Sequence, residues 1–248
     1  MAGFRLIRRR KVWVPTLYGW LALTALTVAL VLTAGRLIHP FLSPNAPVAG
    51  ARLLVVEGWL STKALDQAID AYRQGKYQQI VTTGGPAVTR PDLAIEASYA
   101  ELAARYLQSQ GLEEVKITAV PAPASAQDRT FLSAVMVRRW IAAQGLKYDA
   151  LNLFSEGTHA RRSHRLYRAA LGPEVEIGIL AAHPSGYDPA RWWQTSTGAK
   201  AVIGETIGWL WTVCCFRPPQ VGSHEELWAV PSSGKKRPKQ NSSPQQTP

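Results

Sequence analysis

The chain has 248 residues, 28 Lys+Arg against 17 Asp+Glu, 46% hydrophobic residues and two cysteines. That length allows one ordinary domain with appendages, and the composition excludes collagen-like, disulfide-dense and wholly disordered classes. The formal charge of +11 sits mostly at the ends, with +5 in residues 1–11 and +3 in residues 217–248, while residues 12–216 hold 18 basic against 15 acidic groups. A nucleic-acid binder carries its basic face on the folded domain, so no nucleic-acid partner is expected.

Residues 1–11 contain Arg5, Arg8, Arg9, Arg10 and Lys11 and no acid. Val12–Gly35 follows as 24 uncharged residues, with Trp13, Tyr18 and Trp20 near its start. About 20 apolar residues suffice to cross a bilayer as a helix, so residues 12–35 are expected to be a transmembrane anchor with lipid as its partner. The basic cluster before it predicts a cytoplasmic N-terminus and an extracytoplasmic domain. A cleaved signal peptide is the alternative, but its apolar region usually runs about 7–15 residues, shorter than this one. Pro40, Pro44 and Pro47 mark residues 36–50 as a short stiff linker.

From Ala51 to Phe216, apolar runs of strand length alternate with amphipathic stretches. Strands are expected at Arg52–Val56, Gln79–Thr83, Val115–Val120, Ala150–Phe154 and Val175–Leu180. Helices are expected at Thr62–Gln74, Asp92–Gln110, Asp128–Gln144, His159–Leu171 and Arg191–Cys215. The last has candidate breaks at Gly198, Gly204 or Gly208. Gly75, Gly111 and Gly145 stand where three of these helices should stop. Alternation of this kind predicts an α/β fold, a three-layer Rossmann-like domain with a mainly parallel sheet over residues 51–216. The adjacent Cys214 and Cys215 lack partners at metal spacing and are expected to be buried thiols. Residues 217–248, with six prolines and the run Lys235-Lys236-Arg237-Pro238-Lys239, read as a disordered tail.

Ligands of open parallel sheets bind outside the carboxyl ends of the strands, which selects the loops to inspect. The first strand leads to Glu57-Gly58-Trp59 and the second to Gly84-Gly85, whose bare backbone suits a close-lying anion. The third leads to Asp128 and Thr130, with helix capping as the ordinary role for Asp128. The fourth leads through Thr158 to His159 and Arg162, three apart on one helix. A helix N-terminus beside an arginine fork favours an anionic ligand, whereas Arg165 and Arg168 fit a solvated face. Glu57 and His159 are the candidate acid–base groups. Gly58, Gly84, Gly85, Glu96, Asp128, Thr130, Thr158 and Arg162 are the candidate ligand-binding residues. The carboxylates fall one per loop, which does not suit a metal; G-x-G-x-x-G and the P-loop are absent, so the sequence names no cofactor, and the absence of G-x-S-x-G speaks against a serine hydrolase.

Taken in order, LVVEGW, TTGGP, Glu96 in AIEAS, ASAQDRTFLSA around Thr130, and SEGTHARRSHRLYRAAL with its H-x-x-R at His159 and Arg162 resemble the bacterial YdcF/SanA/ElyC-like family. The likeness covers about residues 51–212. It departs from the family pattern at Glu57 and Trp59 and at Gln127-Asp128-Arg129. The resemblance implies a Rossmann-like domain at the bacterial inner membrane with a role in envelope or peptidoglycan assembly through the lipid-carrier pathway, and it establishes no reaction. Two readings follow. One is a binding site for an anionic, phosphorylated precursor, with or without catalysis. The other is a non-catalytic scaffold for cell-wall assembly proteins.

Overall fold

The computed structural model describes residues 13–87, 97–125 and 127–227. Its elements are α1 (Leu17–Leu42), β1 (Leu53–Glu57), α2 (Thr62–Gln74), β2 (Gln79–Gly84), α3 (Tyr99–Ser109), β3 (Ile117–Pro121), α4 (Arg129–Ala143), β4 (Ala150–Glu156), α5 (Ala160–Leu171), β5 (Glu176–Ala182) and α6 (Ser196–Cys214). The five strands form one sheet in the order β3-β2-β1-β4-β5, every neighbouring pair parallel. This is the expected α/β architecture.

Strand alternation distributes the apolar residues between two layers. Leu53, Val55, Val81, Leu151 and Leu153 pack against Phe131, Val135, Leu166 and Tyr167 of α4 and α5. Leu54, Val56, Ile80 and Phe154 pack against Leu65, Ile69, Ala103 and Leu107 of α2 and α3. β1 is buried at all five positions because helices cover both of its faces. The chain progresses outward from β1 to β3, then returns to the other side of β1 to form β4. The point where that order reverses lies between β1 and β4, and there the covering helices diverge and leave a crevice.

Several boundaries differ from the expected ones for local physical reasons. Within the described residues α3 starts at Tyr99 rather than Asp92. Ser98 accepts from the Glu101 backbone N–H (3.1 Å) and Glu101 accepts from that of Ser98 (2.7 Å), a reciprocal cap that fixes the first turn. Residues 88–96, Glu96 among them, lie outside the described residues. Gly111 and Gly145 do end α3 and α4, at φ +87° and +61°. The last helix breaks at Thr195 instead of at a glycine: a 3-10 turn over Pro189–Gln194 ends there, and the Thr195 side chain caps α6 through Gly198 N–H (3.1 Å).

α1 is long and apolar enough to cross a membrane, with a mean hydropathy of 2.0 over its best window and none of that window buried by the rest of the chain. It continues beyond Gly35 through Pro40 to Leu42, into the segment expected as linker. The remainder of that segment is docked as well. Ala46 exchanges backbone hydrogen bonds with Ile179 of β5 (2.8 and 3.1 Å). Asn152 accepts from Val48 N–H (2.8 Å) and donates to Val48 carbonyl (3.1 Å) and Tyr77 hydroxyl (2.8 Å). Gly178 stands beside this contact, where a Cβ would strike both Asn152 and Val48.

At the other end, residues 217–227 do not behave as a tail. Glu226 is fully buried and accepts from Arg138 of α4 (2.6 Å) and from Gly222 N–H (2.8 Å). Composition could not foresee this, because the pair joins residues 88 positions apart. The basic run at 235–239 lies outside the described residues. Cys214 and Cys215 are exposed and bonded to one another, contrary to the expected buried thiols. They end α6 on its solvent side, where no core is available to cover them.

Candidate functional site

At the carboxyl ends of β1, β2 and β4 lies a cavity of about 740 Å³, within the usual size range of small-molecule sites. Glu57 and Thr83 form its floor. Gly84, Gly85, Tyr99 and the first turn of α4 make one wall, and His159, Arg162 and Leu166 make the other. Glu205, Trp211 and Thr212 reach in from α6. The structure therefore brings Glu57, Gly84, Gly85, Asp128, Thr130, His159 and Arg162 around one space.

Gly58 and Thr158 do not line it. The Gly58 N–H bonds to Thr83 carbonyl (2.7 Å), and a Cβ at position 58 would collide with the Tyr99 backbone. Its glycine serves the packing of α3 against β1. Thr158 is buried and turned toward α6, its hydroxyl 3.5 Å from the Ala201 carbonyl.

Glu57 continues the alternation of β1 and so points to the α4–α5 side, where it is 2% exposed. One carboxylate oxygen accepts from Ser155 and the other from Ser163 (2.9 Å). Both oxygens accept a hydrogen bond, which fixes the Glu57 carboxyl in place on the floor of the cleft. Burial, with the charge of Glu57 added, drives the Tyr167 phenol well above its ordinary range. Tyr167 faces Thr83, yet neither hydroxyl makes a hydrogen bond of proper geometry.

His159 is held on three sides. Its Nδ1 lies 2.9 Å from Glu205 Oε1, its Nε2 lies 3.4 Å from Thr130 Oγ1, and Trp59 meets the ring edge-on at 5.0 Å between centroids. Arg162 Nη2 also lies 2.9 Å from Nδ1, but a guanidinium can only donate and a carboxylate only accept. Nδ1 thus meets both groups, and Arg162 donates to that same carboxylate from Nε (2.8 Å) and Nη2 (3.1 Å). Nε2 faces the Thr130 hydroxyl. The order carboxylate, imidazole, hydroxyl is one that orients a histidine for proton transfer.

Glu205 is the functional residue that loop-by-loop reading of the sequence missed. Burial acts to raise its carboxyl, but the hydrogen bonds and charges of His159 and Arg162 outweigh that and hold it at about 2. Its sequence signal is its isolation: it is the sole acid in the 19 residues of α6. Arg162, expected to face a ligand as a free cation, is instead spent largely on Glu205.

The α4 side is less neutralised. Asp128, a candidate ligand-binding residue whose ordinary role would be capping, adopts a left-handed backbone (φ 52°, ψ 32°) and makes no capping hydrogen bond. Its carboxyl points elsewhere, half-buried, and burial raises its pKa. The first N–H groups of α4 thus keep no helical or capping partner from that side chain, and Arg129 stands exposed beside them. His164 lies outside the cleft with Nε2 donating to the Ile177 carbonyl (2.7 Å). Among the described residues no group of three or more His, Cys, Asp or Glu could hold a metal ion.

Compared with known protein families, the chain matches no family model, and no curated protein matches it.

Proposed function

We propose that this chain is a membrane-anchored envelope-biogenesis protein of the YdcF type, whose cleft binds an anionic, phosphorylated cell-wall or lipid-carrier precursor. In this reading α1 is a single-pass anchor in the bacterial inner membrane, with its N-terminus cytoplasmic and the domain on the extracytoplasmic side. The order of the five short sequence motifs and the basic N-terminal cluster support that assignment. The observation that carries the ligand reading is His159, fixed by Glu205 and turned toward Thr130 at the mouth of α4. The open N–H groups of α4 and Arg129 receive the phosphate, and Gly85, with no atom crowding its Cβ position closer than 3.8 Å, lets it approach the backbone. Nε2 of His159 exchanges a proton with the bound ligand or with the Thr130 hydroxyl.

The test is titration of the full chain in detergent with farnesyl phosphate, using farnesol as the uncharged control. The phosphate should bind and the alcohol should not. His159→Gln and Arg129→Ala should each weaken binding by about 1.5–3 kcal/mol, the range for a charge-assisted hydrogen bond, while exposed Arg168→Ala should change nothing. A scaffold would show no phosphate-dependent binding, and equal affinities across all variants would defeat the proposal.

A further inference from the structure

Apart from α1 and the residues just before it, nine large apolar side chains are exposed among the described residues, and five of them, Ile203, Ile207, Leu210, Trp211 and Val213, belong to α6. Such clustering is not the scatter expected of an ordinary surface. Ile203, Ile207 and Leu210 follow a spacing of four and three, so they form one stripe, 53%, 63% and 54% exposed. The opposite side of the helix is the inward one: Val202 and Thr212 are buried and Glu205 enters the cleft. The stripe carries a single charge near its N-terminal end, the exposed Lys200. A lysine at the edge of an apolar face can extend its ammonium into water while its stem stays on the apolar side.

What covers this stripe is indicated by its neighbour. The Phe41 ring meets Trp209 of α6 edge-on at 4.9 Å, and Trp192 Nε1 donates to the Gly35 carbonyl (2.8 Å). α6 and the turn before it are therefore held against the last turns of α1, just where its bare apolar surface ends. The exposed Trp193 lies in that same turn, and tryptophan is the residue enriched where hydrocarbon gives way to water. The stripe thus belongs to a helix that is held directly against the end of α1.

We infer that the Ile203–Ile207–Leu210 face of α6 lies in the headgroup–acyl boundary of the bilayer that α1 enters, as a second membrane contact parallel to the surface. The inference rests on reading α1 as the membrane anchor, but not on the identity of any ligand. α6 keeps Glu205 and Thr212 on its inward side, and a helix that leaves an apolar stripe bare on the other side suits the interface. Because Glu205, Trp211 and Thr212 belong to the same helix, the cleft then opens beside the headgroup layer and takes the headgroup of a membrane-embedded amphiphile in preference to a freely soluble metabolite.

The test uses the full chain, with Cys214→Ser and Cys215→Ser, reconstituted in phosphatidylethanolamine–phosphatidylglycerol vesicles. Single cysteines replacing Ile203, Ile207 or Leu210 carry an environment-sensitive fluorophore, with Val28 in α1 and exposed Lys76 as references. Fluorescence at the three α6 positions should shift to the blue, be quenched several-fold more by shallow doxyl lipid than at Lys76, and resist iodide. Quenching at Val28 but iodide access at α6 would overturn the inference while leaving the anchor intact. Protection from both quenchers would overturn it in favour of a second copy of the chain. No quenching at Val28 would remove the anchor and the inference together.

Discussion

Replacing Glu205 by Gln tests the central arrangement of the cleft. Holding a carboxyl at about 2 rather than the ordinary 4.5 corresponds to about 3 kcal/mol in favour of the charged form. The amide of Gln can still accept one hydrogen bond, but it leaves the partly buried Arg162 guanidinium without a counter-charge. A loss of about 2–3 kcal/mol at neutral pH is therefore expected, or roughly 5–10 °C in Tm for a domain of this size. The pH dependence is the sharper readout. A carboxyl depressed on folding contributes its full stabilisation above the unfolded value and loses it as pH falls through the folded one. The gap between the parent chain and Glu205→Gln should accordingly be constant above pH 4.5 and close progressively toward pH 2. Thermal unfolding followed by circular dichroism across that range measures it. A gap that does not narrow with acid would refute the assigned charge state and, with it, the orientation of His159.

Three further outcomes follow from the packing and the charge pattern. Gly58→Ala places a methyl against the Tyr99 backbone and should cost about 1–3 kcal/mol by overpacking, visible as a lowered midpoint in chemical denaturation. Asn152→Ala strips both backbone groups of Val48 of their side-chain partner. It should destabilise by about 1–3 kcal/mol and expose the segment before β1 to limited proteolysis. A reporter enzyme that works only outside the cytoplasm, fused after Leu227, should be active in cells; a cytoplasm-only reporter active at the same place would reverse the proposed orientation.

The sheet was legible because β1, β2 and β4 are short apolar runs bounded by Gly or polar residues, a pattern few other folds produce. Strand order was not, since nothing local in Ala150–Phe154 says that it pairs with β1 and not with β3. The site was half legible. The rule that ligands sit at strand carboxyl ends selected Gly84, Gly85, Thr130 and His159 without any knowledge of the order. It could not select Glu205, which follows no strand and reaches the cleft only because α6 folds back over α5. Glu57 was chosen for its position, but its role depends on parity: the alternation of Leu53 to Glu57 turns it inward beneath the cleft, where Ser155 and Ser163 occupy it. The partners of Asp128 and Arg162 were not legible for a common reason. Each carries the residue type that caps a helix or grips an anion, but which partner it meets is decided by chain segments far away in sequence.

The docked segment between Leu42 and Ala51 determines what kind of attachment this is. Were residues 36–50 flexible, the domain would wander about 20 Å from α1 and sample every tilt. Instead α1 runs unbroken to Leu42, and the bridge at Ala46 and the Asn152 clamp at Val48 fasten the remainder to the sheet. The attachment behaves as a bracket, not a leash. Height and heading of the cleft are set together with the angle of α1, so that on the proposed anchoring encounters would be left to lateral diffusion in two dimensions. Lengthening this segment would not extend the protein's reach; it would cost the protein its aim.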